Sequence, residues 1–171
     1  MRGTMSEDRW ATLSDLYGMM RQSFNDDHIR AAQLAKVLRI QLADFLGCSR
    51  DQVVLYEYDE LDHTYTPESN PFRAISMNGD YVWFLGFGVT LEVSPEAYPK
   101  TTFQFPIWFR LEDSSTSVDT SFGEFTLPRG DKADLSEACA AIYIGLKTSL
   151  MNRANRKHND KKLGFLDFGA D

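Results

Sequence analysis

Tyr81-Val-Trp-Phe-Leu-Gly-Phe-Gly-Val-Thr-Leu-Glu-Val93 and Thr102-Phe-Gln-Phe-Pro-Ile-Trp-Phe-Arg-Leu111 decide the fold. Both runs are dense in aromatic and β-branched residues, which suit a pleated, half-buried surface. Alternation puts Tyr81, Trp83, Leu85, Phe87, Val89, Leu91 and Val93 on one side of the first strand. It does the same for Phe103, Phe105, Ile107, Phe109 and Leu111 on the second. That side is a continuous apolar surface for helices to cover. The opposite side carries Val82, Phe84, Gly86, Gly88, Thr90 and Glu92, with Gln104, Trp108, Arg110 and Glu112. It is amphipathic, and its glycines allow close backbone approach. Pro106 lacks a backbone donor, so its strand lies at an edge or bulges there. A more polar run over 117–127 reads as a third strand.

Upstream, 52–59 is β-branched and aromatic and reads as a strand, followed by a proline-containing loop over 62–71 and a short strand over 72–77. Asn78-Gly79 is the strongest two-residue hairpin signal in the chain. Helix signals flank this region. Trp10, Leu13, Tyr17, Met20 and Phe24 form one apolar stripe. Asn25-Asp-Asp27 predicts a turn and the N-cap of a second helix, which Gly47 ends. Leu135, Cys139, Ile142, Tyr143, Leu146 and Leu150 share the face of a last helix, with Asp134 and Glu137 at capping-box spacing. The expected architecture is α+β: a mostly antiparallel sheet of about five strands, with an N-terminal helical hairpin and one C-terminal helix packed on one face. Residues 1–171 read as a single domain, with 154–171 a tail that is flexible or docked on a partner.

A chain of 171 residues buries a sizeable core without a metal or a disulfide framework. Its net charge of −7 argues against nonspecific attraction to nucleic acid or anionic lipid. The N-terminus lacks the apolar stretch of a secretory signal, and no run reaches the ~20 apolar residues of a membrane helix. A soluble cytoplasmic protein is therefore expected. Cys48 and Cys139 are too few for a disulfide framework. Cys139 lies on the helix stripe, where a buried free thiol is usual, and a single bridge between the two stays open.

Candidate chemistry is sparse. Glu57 and Asp59 share a strand face near His63, a donor set suited to a hard divalent cation, but a solvated strand end explains the charges equally well. Ile142-Tyr-Ile-Gly145, with Arg153 and His158, resembles the second half of the GIY-YIG nuclease signature. It lacks the upstream Gly-Ile-Tyr strand and a following glutamate, and it sits within the helical stripe. Arg129-Gly-Asp131 reads as a turn before that helix. The basic run 153–162 reads as a cationic helix end, which complements the helix dipole and needs no nucleic acid. No nucleophile elbow, phosphate loop or dinucleotide fingerprint is present, and no cofactor is implied.

The leading expectation is a small acidic interaction module of adaptor, chaperone, immunity or inhibitor type. It would bind another protein, or itself as a homodimer, through the sheet face bearing Phe84, Trp108, Arg110, Gln104 and Glu92. One alternative is a small-molecule-binding or sensory domain, with a planar ligand over Gly86 and Gly88. The other is a metal-dependent enzyme without a recognisable motif.

Overall fold

The two aromatic runs pair along their length in a computed structural model of the chain, which describes residues 4–159 apart from 95, 97, 99 and 129–132. The elements in order are α1 (Thr4–Leu46), β1 (Val53–Asp59), β2 (Thr64–Pro67), the single turn α2 (Pro71–Ala74), β3 (Ser76–Met77), β4 (Trp83–Leu91), β5 (Thr101–Leu111), β6 (Ser115–Thr120), β7 (Gly123–Pro128) and α3 (Ser136–Asn159). Among the described residues the strands form one antiparallel sheet of order β2-β1-β4-β5-β6-β7, with β3 pairing β4 beyond the end of β1. The fold is α+β, as the residue patterns require.

Helices cover one face of the sheet. Trp83, Leu85, Phe87 and Val89 of β4 meet Phe105, Ile107 and Phe109 of β5 in the core, with Val53 and Leu55 from β1 and Val118 from β6. From α1 come Ala31, Ala32, Leu34, Ala35, Leu38, Leu42 and Ala43, from the segment before α3 comes Leu135, and from α3 come Ala138, Cys139, Ile142 and Leu146. The run of alanines lets the α1 backbone approach the sheet closely. Gln41 fastens the two helices: its Nε2 donates to the carbonyl of Ala133 at 2.9 Å, and its Oε1 accepts from the amide of Leu135 at 2.9 Å. Gly47 ends α1 at φ 68°, the left-handed conformation expected of it. Cys48 and Cys139 are both free thiols. Burial, with a lesser contribution from Asp134, pushes the Cys139 thiol up to about 11.

The N-terminal hairpin expected at Asn25-Asp-Asp27 is instead part of one helix of 43 residues. The apolar stripe crosses 25–27 in phase, Phe24 leading to His28, Ala31, Ala35 and Leu38. Asp26 accepts a bond from Gln22 Nε2 one turn earlier, at 2.9 Å. Asn and Asp cost only a few tenths of a kcal/mol per helical position, and no Gly or Pro breaks the run there. Propensity loses to periodicity.

Three strand expectations also change. The polar run 117–127 is a hairpin, with Thr120 pairing Gly123 across Ser121-Phe122. Gly123 takes φ 151°, and Thr120 Oγ1 closes the turn by accepting from the Phe122 amide. Within the expected loop 62–71, Thr64–Pro67 adds to β1 as an edge strand. Tyr81 belongs to the turn before β4 and is 78% exposed, so it does not join the apolar side. Asn78 opens that turn, its Oδ1 accepting from the amides of Asp80 and Val82. The left-handed residue is Tyr81 at φ 60°, where Gly79 was the natural choice. Pro106 pairs with Gly86, and β6 stops at Thr120 opposite Ile107, so β5 has a locally open side where a missing donor costs nothing.

Candidate functional site

The outer face of the sheet brings some of the expected site residues together and separates others. Phe84 and Trp108 are cross-strand partners on β4 and β5. Tyr58 of β1 stands edge-on to both rings, at centroid separations of 6.3 and 6.5 Å, and Tyr65 of β2 lies tilted against Tyr58 at 4.8 Å. Phe84 is thereby left 7% exposed. Trp108 is half-buried, and its indole N–H donates to Glu60 Oε1 at 2.8 Å. The β1–β2 hairpin thus closes over this part of the face.

Gly86 and Gly88 are equally occupied from within. A Cβ on Gly86 would lie 2.6 Å from Tyr65 Cδ1, and one on Gly88 would lie 2.6 Å from Tyr56 Cε2. The space proposed for a planar ligand is filled by the protein's own tyrosines. Burial, reinforced by Tyr58, raises the Tyr65 phenol to about 12.

Arg110 lies exposed at the edge of a polar cleft of about 280 Å3, formed with Trp108, Asn78, Asp80, Val82, Ser117, Asp119 and Glu124. Asp119 and Glu124 face each other across β6 and β7. Partial burial and then the Glu124 charge raise the Asp119 carboxyl, against the opposing pull of Arg110. Gln104 and Glu92 sit toward the other end of the sheet. Gln104 is exposed, and Glu92 Oε2 pairs with Lys100 Nζ at 3.0 Å. Phe84, Trp108 and Arg110 are therefore neighbours, whereas Gln104 and Glu92 are not part of the same patch.

The carboxylate-histidine group disperses. Asp59 Oδ1 accepts from the amides of Leu61 and Asp62, and His63 Nδ1 bonds the Tyr58 hydroxyl at 2.8 Å. Among the described residues, no three His, Cys, Asp or Glu side chains converge as a metal ion requires. Gly145 of the Tyr-Ile-Gly sequence has a packing explanation, since Phe122 fills the position its side chain would take. Residues 129–131 and the tail from 160 onward lie outside the described residues, as do the side chains of 155–159.

A second surface was missed as such, although its residues were legible. The N-terminal part of α1 runs past the sheet with its stripe uncovered. Trp10 is 73% exposed, Leu13 61%, Tyr17 57% and Met20 60%, and Leu16 and Met19 are also exposed. Phe24 is where the stripe reaches the body, its ring 5.1 Å from that of Trp83. An apolar cavity of about 410 Å3 opens at this root, between Met20, Phe24, Met77, Tyr81, Trp83 and Leu111. The signal lay in the amphipathic period itself. Expecting a hairpin assigned that stripe to the core.

Among the described residues, no helix is long and apolar enough to cross a membrane. No family model, curated protein or solved structure matches the chain.

Proposed function

We propose that this protein is an interaction module that works by docking the N-terminal arm of α1, residues 8–24, against another helix. The uncovered stripe Trp10, Leu13, Tyr17, Met20 and Phe24 carries the reading. Most helical stability in proteins comes from tertiary packing of an amphipathic face, and here that face lacks a covering element among the described residues. Contiguous exposed apolar surface of this size marks an interaction site. Its aromatic residues and Met are types enriched at interface centres. The sheet-face cleft at Trp108 and Arg110 is a smaller, polar accessory surface, with Phe84 as its buried support.

A photo-crosslinking residue at position 13, in the full chain expressed in cells, tests the reading. A discrete crosslinked species is expected, abolished by Tyr17→Glu with Met20→Glu while the sheet domain keeps its unfolding midpoint. Uncrosslinked chain alone would overturn it.

A further inference from the structure

We propose that the occupant of the arm is the arm of a second copy of this chain, packed antiparallel about a two-fold axis near residue 15. This rests on the interaction reading above and specifies its partner.

The stripe has heptad spacing, with Trp10, Tyr17 and Phe24 at a and Leu13 and Met20 at d. Antiparallel pairing about residue 15 makes the stripe complementary to itself. Trp10 falls level with the partner's Met20, and Leu13 with the partner's Tyr17. Each of these layers occurs twice by symmetry, and Trp10 and Tyr17 each face a flexible or aliphatic side chain. The flanking positions agree. Leu16 lies at g, beside its own copy near the axis, and extends the apolar seam.

A parallel pair would instead set Trp10 on its own copy and Tyr17 on its own copy, with no aliphatic partner for either ring.

The seam runs to the root of the arm, where Phe24 meets Trp83 and the apolar cavity bordered by Trp83 and Tyr81 opens beside it. Area is adequate too. Aromatic side chains each bring roughly 150–250 Å2. With most of these side chains more than half exposed, the six on the seam supply on the order of 600 Å2 per chain. Specific complexes bury ~800 Å2 per partner, and contacts at the root cavity add to the seam.

Sedimentation equilibrium of the full chain over a concentration series tests this, with a cysteine crosslink reporting the register. The wild-type chain is expected to be a dimer at micromolar concentration, and Tyr17→Glu a folded monomer. A mixture of Leu13→Cys and Tyr17→Cys chains should form a disulfide between chains, because these positions share a layer in this register. A chain that is monomeric at these concentrations would overturn the second-copy occupant, and the interaction reading would then stand or fall on the crosslink at position 13. A dimer indifferent to Tyr17→Glu would overturn the arm as its seam, and one in which the mixture of Leu13→Cys and Tyr17→Cys chains fails to crosslink would overturn the antiparallel register.

Discussion

Gly18 and Gly145 are both helical glycines, and an alanine at each meets opposite circumstances. Around a Cβ at Gly18 there is nothing within 4 Å, so Gly18→Ala adds only helix propensity. It is expected to stabilise α1 by up to about 1 kcal/mol. A Cβ at Gly145 would fall inside the space of the Phe122 ring, against Cδ1. There the clash outweighs the propensity gain, and Gly145→Ala is expected to destabilise by about 1–3 kcal/mol. Urea unfolding of the two variants should move midpoints in opposite directions, and equal shifts would show that Phe122 yields freely. Tyr81 makes a third case. It holds a left-handed backbone, which costs an L-residue roughly 1–2 kcal/mol, while its ring stays exposed. Asn tolerates that conformation, so Tyr81→Asn is expected to raise the same midpoint by up to about 1 kcal/mol.

At the scale of elements, periodicity was the legible signal and turn geometry the illegible one. The alternation over 83–91 and 101–111 fixed two strands and which side faces the helices, because one side of each is unbroken apolar residue. The β6–β7 turn escaped notice since Ser121-Phe122 has none of the usual two-residue turn chemistry, and only Gly123 marks it. The candidate site was half legible. That Phe84, Trp108 and Arg110 adjoin follows from strand register, but that the β1–β2 hairpin folds Tyr58 and Tyr65 over Phe84 depends on a pairing between distant segments. The same hairpin scale holds a liability. Asp119 opposes Glu124 across β6 and β7, and like charges directly opposite are unfavourable. Because the Asp119 carboxyl is raised, the folded chain takes up its proton more readily than the unfolded one. The penalty is present in full above the folded value and relieved as pH falls toward the unfolded one. At neutral pH, Asp119→Asn is therefore expected to stabilise modestly, by about 0.2–0.5 kcal/mol given its exposure. The advantage should fade as pH falls toward the acidic range, and an advantage independent of pH would exclude this cause.

For the molecule as a whole, the two groups with the largest alkaline shifts lie on opposite faces of the sheet, which makes pH a probe of both layers at once. Cys139 is in the core on the buried face of α3, with its thiol raised from 9.0 to about 11. Tyr65 lies over Gly86 on the outer face, with its phenol raised from 10.0 to about 12. Each is an acid that the folded chain holds protonated above the pH at which the unfolded chain releases it. Folding stability from each is complete below the unfolded value and is lost as pH rises through the folded one. Stability in urea should therefore hold steady to about pH 9, fall between pH 9 and 12, and then level. Two substitutions divide the window. Cys139→Ala removes the first part of the fall, at some cost in core packing that is the same at every pH. Tyr65→Phe keeps the ring over Gly86 and should end the fall near pH 11. Tyrosinate absorbance offers an independent check, because the Tyr65 phenol should ionise only near pH 12. If Tyr65→Phe left the upper limb unchanged, the outer aromatic layer would be open to water. The sheet would then have one sealed face instead of two, and the accessory surface at Trp108 would extend across the tyrosines.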